Sequence, residues 1–188
     1  MKILALSDTY TPKEVLLQII YSNKIDLIIT CGDFSLFDIS WLKKVIDIPK
    51  IGVYGNHCTR GYMEELGIVN LHLKSVTVND LVFAGFEGCV RYKDSQFAPM
   101  YTQLEAIELI KQLPKADIII SHCPPLGIND DQNSLSHTGF AALLNYLNQH
   151  QPKAWFHGHT HPLKERIQTK YKSTQIFYTD PYILVELN

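Results

Sequence analysis

The sequence predicts an α/β domain with two sheets, with residues 1–188 forming one unit, and three observations carry that expectation. Apolar, β-branched runs alternate with amphipathic stretches in the order βαβαβ between Met1 and Tyr54. Those runs are apolar on both faces, as strands of a parallel sheet covered by helices must be. They also end in polar residues, Asp8, Asp33 and Asn56-His57. In such sheets the carboxyl ends of the strands are where sites are built.

Met1 to Leu6 reads as a buried strand, and Thr11-Pro12 then opens a helix with Val15, Leu16, Ile19 and Ile20 on one face. Ile25 to Thr30 is the second strand and runs into Cys31-Gly32-Asp33. A helix from Leu36 to Ile46 leads past Pro49 to a third strand, Lys50 to Tyr54, ending at Gly55-Asn56-His57. A short helix, Tyr62 to Leu66, precedes two alternating runs, Val69 to Val78 and Leu81 to Phe86. Asn79-Asp80 between them is a hairpin signal. A mixed loop from Glu87 to Pro99 carries Arg91, Tyr92 and Lys93. Helix returns from Thr102 to Leu113, and a strand from Ala116 to Ser121 ends at His122-Cys123-Pro124-Pro125. A polar loop, 126–138, gives way to a helix from Gly139 to Gln149. The strand Lys153 to Phe156 follows, and Leu163 to Thr169 and Thr174 to Leu187 read as strand-rich.

Composition narrows the function. With 46% hydrophobic and 19% charged residues over 188 positions, the chain can bury a sizeable core. A net charge of −2 without a lysine or arginine block removes the footprint expected for a nucleic-acid duplex. No apolar run reaches the roughly 18 residues needed to span a bilayer, and the N-terminus starts a strand without a basic leader, so no membrane partner and a cytoplasmic location are expected. Cys31, Cys58, Cys89 and Cys123 are too widely spaced for a disulfide framework or a zinc finger. Cys31 and Cys123 each adjoin a polar residue at a strand end, and alternation turns them into the core behind it.

Residues 155–162, Trp-Phe-His-Gly-His-Thr-His-Pro, place three histidines at alternate positions beside a glycine. Imidazole is the commonest protein ligand for borderline divalent metals, and Gly158 lets the backbone approach closely while rings converge. Taken alone, the stretch is equally a strand end with imidazoles on one face. The other strand ends tip the balance: Asp8, Asp33, Asn56, His57, His122, His159 and His161 come as Gly-Asp, Gly-Asn-His, Ser-His and Gly-His-Thr-His.

That set, in that order, resembles the calcineurin-like metallophosphoesterase superfamily over essentially the whole chain. The run His122-Cys-Pro-Pro-Leu-Gly, with Asp130, His137-Thr-Gly and His157-Gly-His-Thr-His, is similar to its small bacterial-type members. The resemblance implies a four-layer α-β-β-α sandwich of two mixed sheets flanked by helices, with a metal site at the strand carboxyl ends. It implies a binuclear centre: Asp33 bridging, Asp8 and His161 on one ion, Asn56, His122 and His159 on the other. Two divalent ions follow, Mn2+ foremost, with Fe, Zn, Ni or Co as alternatives. In such a centre the ions neutralise phosphate oxygens and acidify a bridging water for attack on phosphorus. His57 would then assist the leaving group. Small phosphodiesters are the expected substrates, since the chain has few insertions from which to build a protein-docking groove. Arg60, Arg91 and His137 are candidate substrate contacts, and a homodimer through a sheet edge stays open.

Two positions depart from the family pattern. Where the family has Asp-x-His, this chain has Asp8-Thr9-Tyr10. Tyr10 swings away and leaves water in its place, or ligates a harder metal as phenolate, or the first site is weak or empty; the order is one of preference. Cys58 replaces a carboxylate after Gly-Asn-His, which leaves the support of His57 unassigned. His157 reads as structural, His137 as either substrate contact or cap, and His72 and His150 as surface residues. Two further classes compete: a protein-interaction scaffold, as some small superfamily members are in retromer assembly, and a cysteine hydrolase built on Cys123 or Cys58.

Overall fold

A computed structural model describes residues 1–187. The chain opens as β1 (Lys2–Leu6), α1 (Lys13–Asn23), β2 (Leu27–Thr30), the single turn α2 (Leu36–Ile39), β3 (Lys50–Gly52), α3 (Tyr62–Leu66) and β4 (Val69–Asn70). It continues through β5 (Ser75–Val78), β6 (Leu81–Phe86), the short pair β7 (Cys89–Val90) and β8 (Met100–Tyr101), α4 (Gln103–Ile110) and β9 (Ile118–Ser121). The last elements are α5 (Ala141–His150), β10 (Ala154–His157), β11 (Lys170–Tyr171), β12 (Thr174–Tyr178) and β13 (Tyr182–Glu186).

Two mixed sheets result. One is ordered β13-β1-β2-β3-β4, with β13 antiparallel and the rest parallel. The other is ordered β11-β12-β10-β9-β6-β5, parallel in the middle and antiparallel at both margins. Alternation along the strands makes the layers. Ile3, Ala5, Leu27 and Ile29 face Phe83, Ile118, Ile120 and Phe156 across the inter-sheet core. Leu4, Leu6 and Ile28 on the other face of the first sheet meet Leu16 and Ile20 of α1 and Met63 and Leu66 of α3. Ile119, Trp155 and Phe86 on the outer face of the second meet Ile110 of α4 and Leu143 and Leu147 of α5. This is the α-β-β-α sandwich the sequence predicts. Cys31 lies in the inter-sheet core and Cys123 in the outer one, both buried. Among the described residues no helix is long and apolar enough to cross a membrane.

Three expectations on elements need correction. The helix expected over 36–46 is one α turn, closed by a Ser35–Asp38 capping box, followed by 3-10 winding over Ser40–Lys44. Tighter winding with three residues per turn sets Ile39 and Leu42, both buried, on one side. The single strand expected over 69–78 is divided between sheets. β4 pairs with β3, the chain crosses at Leu71, which is buried in the inter-sheet core, and Leu73 takes a left-handed φ of 56° before β5 pairs with β6. Residues 163–169 hold a 3-10 turn, Lys164–Arg166, because exposed charged side chains give that segment no face to bury on a sheet. The Asn79-Asp80 turn follows its signal: both residues have positive φ, 47° and 62°, as a tight hairpin needs.

Candidate metal centre

The carboxyl ends of β1, β2, β9 and β10 lie side by side, and the loops leaving them carry Asp8, Asp33, His122 and His159. Hydrogen bonds tie these loops to one another. The amide of Asp8 donates to Gly32 O at 3.1 Å, that of Cys31 to Leu6 O at 2.8 Å, and that of Gly158 to His122 O at 3.0 Å. Asp8, Asp33, His159 and His161 all have positive φ (57°, 60°, 76° and 44°), so these candidate positions are themselves the sharp turns off the strands. Gly158 is packed so that a Cβ there would strike Ser7 Oγ and Asp8 Oδ2, and a Cβ on Gly55 would strike Asp33 Oδ1. Only glycine lets these backbones come that close to the carboxylates.

His122 is the centre of the group. It is fully buried; its Nδ1 donates to Cys31 O at 2.8 Å, and its Nε2 faces Asn56 Oδ1 at 3.0 Å and Asp33 Oδ2 at 3.4 Å. Burial opposes a charge on the ring, but Asp33, its hydrogen bond and Asp8 outweigh that and push the pKa up to about 9. Burial likewise opposes the charge on Asp33, whose carboxylate is nonetheless held well below the usual range by His122 and by the amide of His57, which donates to Oδ1 at 2.7 Å. His159 is buried and donates from Nε2 to Ser136 O at 2.7 Å, which leaves Nδ1 with the lone pair. Its pKa is driven down by burial and then by the neighbouring His122, whose ring centroid is 4.7 Å away. Asp33, His122 and His159 each offer a ligand atom within 4.8 Å of the others, a grouping that could hold a metal ion. Asn56 Oδ1 belongs to the same cluster through His122. One carboxylate and two imidazoles, each oriented by a backbone partner, together with the Asn56 amide oxygen, suit a borderline divalent ion.

The residues expected around a first ion are less gathered. Asp8 is half-buried, with Oδ2 accepting from Ser7 Oγ and from the His159 amide at 3.0 Å, and burial raises its pKa. His161 turns to Asp180, its Nδ1 3.0 Å from Oδ2, with the Tyr178 hydroxyl at 3.4 Å. Tyr10 is 58% exposed and lines a surface groove of about 470 Å³ with Tyr21, Phe37 and Trp41. Its side chain is therefore not gathered with Asp33, His122 and His159.

At the rim, His57 is exposed, with Nε2 3.5 Å from the Tyr92 hydroxyl, which also lies 3.5 Å from Asn56 Nδ2. His137 stands over the centre, its ring centroid 5.5 Å from His159 and 6.3 Å from His161, with Nδ1 against Ser134 and Ser136. Arg60 and Arg91 are not free cations. Arg60 forks onto the buried Glu87 at 3.4 and 3.2 Å, and Arg91 pairs with Glu105 at 3.0 Å. Both line a groove of about 700 Å³ with Phe97, Met100, Tyr101 and Leu104. His157 is structural: Nδ1 donates to Gly158 O at 3.1 Å and Nε2 accepts from Asn129 at 2.9 Å. His72 is not a surface residue as expected, since its ring stacks on Tyr101 at 5.9 Å and its Nδ1 accepts from the Glu87 amide. The thiols of Cys58 and Cys123 are pushed up by burial, Cys58 to about 11, and neither is a poised thiolate.

Three contributors to the surroundings of the site carry little signal in the sequence. Asp180 ties the Thr9 amide and His161 from the β12–β13 connection, and its signal is Thr-Asp-Pro interrupting a strand-rich tail. Ser136 acts through a main-chain carbonyl and carries no side-chain signal. Glu87 immobilises Arg60 and accepts from the Tyr101 hydroxyl at 2.9 Å; a lone glutamate after an apolar strand was its only trace.

These features define an α/β sandwich with a candidate metal site at converging strand ends. The Calcineurin-like phosphoesterase superfamily domain matches residues 1–178, and the chain belongs to that superfamily. No curated protein sequence matches it. Its fold is similar to a novel archaeal phosphodiesterase (19% identity, 95% of this chain and 82% of that one, TM-score 0.51). It is also similar to a novel phosphatase of Mycoplasma pneumoniae (16% identity, 94% and 70%, TM-score 0.57). A third neighbour is GAP50, described as the anchor in the inner membrane complex of Plasmodium (16% identity, 95% and 70%, TM-score 0.51).

Proposed function

We propose that this chain is a metal-dependent phosphoesterase that hydrolyses small phosphodiesters. Asp33, Asn56, His122 and His159 hold one divalent ion, Mn2+ foremost, and Asp8, Asp33 and His161 a second. The observation that carries the reading is the orientation of His122: its Nδ1 is committed to Cys31 O, so Nε2 is aimed at Asp33 and Asn56 from a separate strand end. The ions supply charge neutralisation for the phosphate and acidify water.

The protein's own groups do the rest. Asp33 is held ionised by His122 and the His57 amide, and its Oδ1 fixes the loop that carries His57. His57 is exposed at the mouth beside Tyr92, where its imidazole can hold a proton for a departing oxygen. Because Arg60 and Arg91 are already paired with Glu87 and Glu105, the groove they line with Phe97, Tyr101 and Leu104 fits an apolar or aromatic leaving group better than a second phosphate.

Hydrolysis of bis(p-nitrophenyl) phosphate with added Mn2+ tests this. Turnover is expected to vanish with chelator and in Asp33→Asn. In His57→Ala it should fall about 10²–10⁴-fold with Mn2+ affinity retained. Turnover that survives chelator or Asp33→Asn overturns the reading. A second reading, an interaction protein, is favoured by one feature: Tyr10, Tyr21 and Phe37 stand exposed around one groove. Mn2+ binding without hydrolysis of any phosphoester would select it.

A further inference from the structure

Cys58 occupies the position after Gly-Asn-His, and its sulfur sits between two loops. Sγ accepts from the amide of Asp33 at 3.1 Å and from the amide of Gly55 at 2.9 Å, and the Tyr62 hydroxyl stands 3.6 Å away. One loop leaves β2 and carries Asp33; the other leaves β3 and carries Asn56 and His57. Asp33 sits at a φ of 60°, a conformation a non-glycine residue holds only when its surroundings fix it. Its amide points inward to the sulfur, while its Oδ1 returns to the His57 amide at 2.7 Å. The two loops are thereby joined through the Asp33 carboxylate and the Cys58 thiol, beside a main-chain bond from the Thr59 amide to Phe34 O at 3.3 Å.

We propose that Cys58 is a positioning residue, whose sulfur sets Asp33, Asn56 and His57 in register by accepting the Asp33 and Gly55 amides. The inference rests on the metal-site reading for its consequence and on hydrogen bonding alone for its geometry. A methyl group at this position leaves two amides without an acceptor, whereas serine keeps a lone-pair atom, though nearer its own backbone. Residues that orient ligands without touching the ion typically change metal affinity by about 10–100-fold when removed.

The experiment compares wild type, Cys58→Ala, Cys58→Ser and, as a control, Leu66→Ala, which cuts into the neighbouring core beneath α3. Amide hydrogen exchange is followed on the metal-free proteins, and Mn2+ affinity is measured by calorimetry. Cys58→Ala is expected to speed exchange at Asp33 and Gly55 while distant core amides hold, and to weaken Mn2+ by about tenfold or more. Cys58→Ser should restore part of both, and Leu66→Ala should lower Tm with affinity unchanged. If Cys58→Ala fails to fold, intermediate protection at the same two amides in Cys58→Ser carries the test. Unchanged protection at Asp33 and Gly55, or loss spread evenly over the core, overturns the proposal. A wild-type protein that binds no Mn2+ refutes the metal-site reading alone, since amide protection still decides the part played by Cys58.

Discussion

In the metal-free protein both ring nitrogens of His122 face acceptors, Nδ1 toward Cys31 O and Nε2 toward Asn56 Oδ1 and Asp33 Oδ2. The ring therefore carries a second proton, and its pKa of about 9 reflects burial opposed and outweighed by Asp33 and Asp8. A divalent ion bound at Nε2 must displace that proton. At pH 7 the ring lies two units below its pKa, so competition weakens metal binding by about 100-fold, roughly 3 kcal/mol. The apparent Kd for Mn2+ is expected to fall about tenfold per pH unit from pH 7 to 8 and to level off near pH 9. His159 adds nothing to this slope, because its pKa is already depressed and Nδ1 is free. Calorimetry in two buffers of different ionisation enthalpy reads the released proton directly, about one per ion bound at pH 7. A pH-independent Kd with no proton release refutes the reasoning. The same shift has a consequence for stability. His122 is raised from 6.5, so its contribution is fully present below pH 6.5 and is lost as pH rises through about 9. Asp33, depressed, stays ionised across that window. Tm of the metal-free protein should therefore fall over pH 6.5–9.

Gly158→Ala drives a methyl group into Ser7 Oγ and Asp8 Oδ2; a loss of about 1–3 kcal/mol, near 2–4 °C of Tm per kcal/mol, is expected by thermal denaturation. Tyr10→His substitutes an imidazole for a side chain that lies outside the centre, and elemental analysis after Mn2+ titration should show higher occupancy than wild type. An unchanged stoichiometry would mean that the backbone at Tyr10 cannot bring a side chain to the site.

The strand ends were legible because two rules act together: a buried parallel strand reads as a near-continuous apolar run, and the first charged or histidine side chain after it marks the end where sites are built. Asp8, Asp33 and His122 all follow that pattern. The hairpin at Asn79-Asp80 was legible because its turn requires positive φ, which these residue types supply. The division of 69–78 between two sheets was not, since alternation continues through Leu71 and nothing in a period of two says which sheet receives each half. The pairing of His161 with Asp180 and of Arg60 with Glu87 depends on contacts between distant segments, which spacing along the chain does not encode. Cys58 shows the same limit: the residue type suggested a missing carboxylate, and only the fold shows its sulfur accepting two amides.

The most direct test of the account is anomalous diffraction from crystals grown with Mn2+. It predicts a peak bounded by Asp33, Asn56, His122 and His159, with a second beside Asp8 and His161 as occupancy rises. Crystals that show no anomalous density at those residues, in protein saturated with Mn2+, would contradict it.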